Sequence, residues 1–200
     1  ELMTPELITA SPDLGVGEAA QRLAEEHIHN LVVESEGEPV GVFGTADILI
    51  AIREYRMDTP LRDFMSTFLF SIDVNEDLRS GLRYLERAGV RGVVVMDGKW
   101  PVGIFGQNEA LAAVDQEMST TIERVMNTRF LCLAPDMPAF RAAEQAASLG
   151  VKRILVLDEG NAIGLVSASD FAQLLAGVEI EDKVDRKRHP ERATTERDQA

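Results

Sequence analysis

The chain has 200 residues, 45% of them hydrophobic, enough for one or two compact domains with a sizeable core. Its formal net charge is −14, and 34 Asp and Glu against 20 Lys and Arg argue against nucleic acid or an anionic membrane as the main partner, since both need a clustered basic face. A single cysteine, Cys132, rules out an internal disulfide, and no stretch approaches the about 20 apolar residues of a membrane span.

Taken in order, the chain states one pattern three times. Met3, Met65 and Met126 open three repeats, spaced 62 and 61 residues apart. In the first, Glu6 to Ala10 is extended, and Ser11-Pro12-Asp13 turns into a helix with Val16, Ala19, Ala20, Leu23 and Ala24 on one side. Leu31-Val32-Val33 reads as a buried strand, Glu34 to Glu38 as a hairpin turn, Val40 to Phe43 as the return, and Ala46 to Ile52 as a second helix. The second repeat has Phe68 to Ser71 extended, the stripe Leu78, Leu82 and Leu85, and strands Val93 to Val95 and Val102 to Phe105. The third has Phe130 to Leu133, the helix Ala139 to Leu149, strands Ile154 to Leu157 and Ile163 to Val166, and the helix Ala168 to Leu175. Each closes on a glycine-led segment starting at Gly41, Gly103 or Gly164, again 62 and 61 apart. Such register marks an internal repeat. The pattern predicts an α+β protein of tandem β-α-β-β-α repeats over 1–57, 58–119 and 120–177. About 50 ordered residues cannot bury a good core alone, so the repeats are expected to pack their sheets in pairs, helices outside. The tail, 178–200, carries seven acids and six Lys and Arg, and reads as disordered or a solvated helix.

This pattern resembles the cystathionine-β-synthase (CBS) domain family over residues 2–177. Met3-Thr4-Pro5, the element order, and the closing heptapeptide Gly164-Leu165-Val166-Ser167-Ala168-Ser169-Asp170 carry the resemblance. It implies a regulatory, non-catalytic module that works in pairs, binds AMP, ADP, ATP or a related adenosyl ligand in clefts, and regulates an enzyme or transporter.

A nucleotide needs a donor for phosphate, an anion for the ribose hydroxyls and an apolar slot for the base. In the third repeat Ser167 starts a helix whose free amides suit an anion. Asp170, one turn in, can accept ribose hydroxyls, and Lys152 or Arg153 can neutralise phosphate. The plainer reading is an ordinary cap at Ser167, with Asp170 favouring the helix dipole. The first repeat offers Asp47, with Gly44 at the hydroxyl position, Thr45 one place late, and His29 and Asn30 in place of the basic pair. The second has Gly106, Glu109 and Arg91-Gly92, and reads as a structural partner. The alternative function is a degenerate scaffold for dimerisation or partner binding with no small ligand.

Other constellations are weaker. Gly15-Val16-Gly17-Glu18-Ala19-Ala20 fits a dinucleotide fingerprint, but Ser11 to Leu14 separates it from the strand, and the other repeats lack the glycines. His27 and His29 lack further ligands at metal-site spacing. Cys132, between two leucines, is expected to be buried and inert. No prosthetic group or metal is expected, and the cytoplasm is the expected location. The first repeat lacks a full leader, so an upstream segment is expected. Three repeats leave one unpaired. If the first two close on each other, the third is left over and is expected to pair with the third repeat of a second copy, giving a homodimer. If the second and third pair instead, the first is left over, with a lost upstream repeat as its mate.

Overall fold

The computed structural model describes residues 7–177. The charged tail and Met3-Thr4-Pro5 lie outside the described residues. Among these residues the fold is α+β, with three small sheets and seven helices. None of the helices is long and apolar enough to cross a membrane.

The first repeat runs β1 (Thr9–Ala10), α1 (Val16–Glu25), β2 (Asn30–Ser35), β3 (Glu38–Gly44), α2 (Thr45–Glu54). The second runs β4 (Ser71–Asp73), α3 (Leu78–Ala88), β5 (Gly92–Asp97), β6 (Trp100–Gly106), α4 (Gln107–Ala112), followed by a single turn, α5 (Ile122–Val125). The third runs β7 (Leu131–Leu133), α6 (Ala139–Leu149), β8 (Arg153–Asp158), β9 (Asn161–Ser167), α7 (Ala168–Ala176). In every sheet the middle strand of the repeat lies between the other two. The first strand runs parallel to the middle one in all three repeats. In the first two repeats the return strand is antiparallel to it and slips register at equivalent places, after Val33 and after Val95.

Local chemistry sets the element ends. Helices α3 and α6 stop at Gly89 and Gly150, both left-handed with φ of 62° and 63°, where glycine carries no Cβ penalty. The first repeat puts His27 there, with φ 53°, so the histidine read against a metal site is a helix stop. At all three stops the next apolar residue closes the turn: the amides of Ile28, Val90 and Val151 donate to the carbonyls of Leu23, Leu85 and Ala146.

The chain divides into two bodies, and the first does not follow the order of the repeats in sequence. One comprises residues up to Ser66, Leu131–Asp158 and residues from Ile163; the other comprises Thr67–Phe130 with Glu159–Ala162. The first body therefore joins repeats 1 and 3, a pairing the sequence did not suggest. They meet through helices, α1 on α7 and α2 on both α6 and α7. Ala19, Ala142, Ala143, Ala146 and Ala172 keep the helices close, and Leu23, Leu31, Ile48, Ile52, Ile154 and Phe171 fill the core. Burying such a side chain contributes roughly 1.5–3 kcal/mol. Gly17 of the supposed fingerprint lies near the Leu175 carbonyl, where a Cβ would stand 3.6 Å from its oxygen. The second body is built on repeat 2, around Leu78, Leu85, Val93, Val95, Phe105 and Ile122.

Each body also contains a leader from elsewhere in the sequence. In the first, Leu61 donates to Met137 O and Arg62 to Pro135 O, and Ser66 exchanges two backbone hydrogen bonds of 2.9 Å with Leu165 of β9. In the second, Ile122 donates to Glu76 O, and Asn127 exchanges hydrogen bonds of 2.8 and 2.9 Å with Ile104 of β6. The leader that precedes repeat 2 thus lies on repeat 3, and the leader that precedes repeat 3 lies on repeat 2.

Candidate functional site

The heptapeptide of repeat 3 folds as the end of β9 running into α7. Ser167 is extended (φ −123°, ψ 176°), and Asp170 is the third residue of the helix. Asp170 turns back: its Oδ2 accepts from Ser167 N at 2.7 Å and from Ser167 Oγ at 2.5 Å. Its Oδ1 accepts from Ser66 Oγ at 3.1 Å. The carboxylate is 2% exposed, so it is not the open cleft residue that a ribose contact suggested. The capping arrangement explains why: a carboxylate in the first turn gains the helix dipole and satisfies an otherwise unpaired amide. Ser66 is the partner that sequence reasoning missed. Its signal was its place directly after Met65, matching Thr4 after Met3 and Asn127 after Met126.

The other candidates fall around this arrangement unevenly. Arg153 is the first residue of β8 and half-buried, and Lys152 stands exposed just ahead of it. In repeats 1 and 2 the residue at the Arg153 position pairs with the one at the Ser167 position: Asn30 with Gly44, Gly92 with Gly106. In repeat 3, β8 and β9 are likewise neighbours in the sheet.

In repeat 1, Gly44 is the residue before α2, and its amide donates to Asp47 Oδ2 at 2.8 Å. A Cβ on Gly44 would collide with Asn30 Oδ1 and stand 3.0 Å from His29 O, which explains the missing hydroxyl. In repeat 2 a Cβ on Gly106 would stand 2.6 Å from Arg91 O. There Glu109 Oε1 accepts from Asn127 Nδ2 at 3.4 Å, the counterpart of Ser66 on Asp170.

Thr45 and His29 meet repeat 3 at a crevice of about 10 Å³, with Leu23, Ile28, Ile48, Ala168, Ser169 and Ala172. That holds roughly one water and no nucleotide. A roomier groove of about 340 Å³ opens between the end of α2 and the start of α6. Arg53, Arg56, Arg141, Glu54, Glu144, Ile50 and Phe140 line it. Arg56 and Arg141 lie 4.9 and 5.2 Å from the centre of the Phe140 ring.

Cys132 corrects its reading. It is exposed, because the short strand β7 alternates and sends Leu133 inward instead. Partial burial pushes its thiol pKa up.

Comparison with known proteins agrees with this geometry. The chain is 30% identical over 115 residues to an A-adding tRNA nucleotidyltransferase of Aquifex aeolicus, matching 56% of this chain and 14% of that protein. It spans well under a third of the curated relatives it matches, 28% of another. Protein MJ1225 of Methanocaldococcus jannaschii, described as a candidate archaeal homologue of γ-AMPK, superposes with a TM-score of 0.71 at 15% identity, over 86% of this chain and 68% of that one. The CBS domain pair of protein MJ0100, solved with 5′-methylthioadenosine and S-adenosyl-L-methionine, gives 0.55 at 20% identity, over 60% and 98%. The CBS domain itself matches residues 1–54, 61–116 and 122–177. Three matches in tandem, each covering one β-α-β-β-α repeat, make this chain a member of the CBS domain family.

Proposed function

We propose that this chain is a non-catalytic regulatory module that binds an adenine nucleotide or related adenosyl ligand at repeat 3. The observation that carries the reading is the carboxylate of Asp170 at the start of α7, held between Ser167 and Ser66. Ribose hydroxyls are donors of the same kind as the Ser66 hydroxyl, and would take its place on Oδ1. The amides at the start of α7, with Arg153 at the start of the neighbouring strand and Lys152 just ahead of it, suit phosphate. Asp47, Thr45 and His29 form the weaker counterpart in repeat 1. A CBS pair solved with adenosyl ligands and a γ-AMPK-like neighbour support the ligand class. Regulation of an attached or associated enzyme or transporter, and a location in the cytoplasm, belong to the same reading.

A second reading is a scaffold without a small ligand. The burial of Asp170 and the single-water crevice favour it. Thermal-shift titration with AMP, ADP, ATP and S-adenosylmethionine separates the two. A ligand at 100 times its Kd raises stability by about 2.7 kcal/mol, and a flat response to all four favours the scaffold.

A further inference from the structure

The groove between the end of α2 and the start of α6 holds chemistry that the site at repeat 3 does not use. It lies within the body that joins repeats 1 and 3, and its volume of about 340 Å³ suits a small organic molecule rather than a lone ion. Arg53, Arg56 and Arg141 line it, in a chain whose net charge is −14. Arg141 pairs with Glu144 at 3.6 Å, an exposed pair that contributes little. Neither Arg53 nor Arg56 forms an ion pair among the described residues.

Two of the three guanidiniums are held in place by the Phe140 ring, at 4.9 Å for Arg56 and 5.2 Å for Arg141. A guanidinium stacked on a ring keeps its N–H edge free for an anion. The backbone arranges this meeting. Arg56 follows the last turn of α2 with left-handed backbone, φ 48°, and the Phe140 amide donates to the next carbonyl, Met57 O, at 2.9 Å. Left-handed backbone suits glycine, and α7 ends on one, Gly177 with φ 70°. An arginine at such a place carries strain that the turn alone does not need, and strain of this kind gathers at binding sites. The start of α6 is not itself the anion site, because its first amides are taken. Ala139 donates to Thr59 O, and Arg141 and Ala142 donate to Pro138 O. Side chains make the groove.

We propose that this groove binds a small phosphorylated polyol of the sugar phosphate class. Three forked guanidiniums suit one phosphoryl group. Glu54 and Glu144 line the same groove. They would repel further negative charge, which disfavours a polyphosphate or an acidic peptide, and they accept hydrogen bonds from hydroxyls. Ile50, 46% exposed, and Phe140 offer apolar surface for the C–H face of a sugar. The groove shares no residue with the adenosyl site proposed at repeat 3, and it does not depend on that reading.

Isothermal titration with ribose-5-phosphate and glucose-6-phosphate, beside free ribose and inorganic phosphate, tests the groove. Saturable binding of at least one sugar phosphate is expected, with ribose and inorganic phosphate each weaker by about tenfold or more. Arg56→Gly and Arg53→Gln are each expected to weaken the sugar phosphate by roughly tenfold or more, as loss of a hydrogen bond to a charged group does. Both variants are expected to keep the wild-type circular dichroism spectrum, since glycine takes left-handed backbone freely and Arg53 is exposed. No binding of either sugar phosphate, inorganic phosphate bound as tightly as both, or affinity unchanged in either variant would each overturn the proposal.

Discussion

Single residues carry most of the difference between the three repeats. Asp170 serves structure and, on the proposed reading, ligand. Asp170→Ala removes three accepted hydrogen bonds from a buried position. It should cost roughly 2–3 kcal/mol of stability, beyond any loss of binding, since hydrogen bonds to a buried charge are worth about 1.5–3 kcal/mol. Chemical denaturation would show it; an unchanged midpoint would mean that the carboxylate is solvated in solution. Ser66→Ala removes one of these hydrogen bonds and should cost less. His27 offers the reverse case. Left-handed backbone costs a non-glycine residue about 1–2 kcal/mol, partly offset by the extra freedom that glycine has when unfolded. His27→Gly should therefore raise the melting temperature by a degree or two, as the glycines at 89 and 150 imply. A lower melting temperature would show that the imidazole makes a stabilising contact.

At the scale of elements, caps and edges decide. Helix α3 begins at Asp77, whose Oδ1 accepts from the Ser80 amide at 2.8 Å. That hydrogen bond holds the carboxyl below its ordinary range. The folded pKa lies below the unfolded one, so its contribution is complete above about pH 4 and is lost as pH falls through the folded value. Asp77→Asn keeps a capping side chain without the titration. The stability gap between wild type and variant should close or invert between pH 5 and pH 2, roughly the carboxylate range; a constant gap would separate the cap from the charge. The return-strand glycines make a second comparison. Gly103→Ala meets Met126 and Asn127 and should cost about 1–3 kcal/mol, as overpacking does. Gly41→Ala should be close to neutral in a monomer. Equal costs at the two positions would mean that β3 is covered as β6 is.

Across the whole molecule, element types and order were legible because apolar spacing and turn residues recur at a fixed offset. Helix α6 was read to its ends, Ala139 to Leu149, while α2 runs to Glu54 because a polar last turn carries no apolar signal. The pairing of repeats was not legible. All three carry the same parts, so no spacing says that Met65 covers Gly164 rather than the glycine of its own repeat. That is a contact 99 residues apart in the chain. The site was half legible: the heptapeptide named Ser167 and Asp170, but not Ser66, which hydrogen-bonds the buried Asp170 from 104 residues earlier in the chain. Cys132 was misplaced because a three-residue strand is too short to show its alternation.

The central claim is that repeat 3 takes an adenosyl ligand through Asp170. Isothermal titration of the wild-type chain, Asp170→Asn and Glu109→Ala with AMP, ADP, ATP and S-adenosylmethionine tests it most directly. The account predicts saturable binding of at least one of these by wild type and by Glu109→Ala, and a loss of roughly ten- to a hundredfold in Asp170→Asn. No heat of binding from any of the four in wild type, or equal affinity in all three proteins, would contradict it.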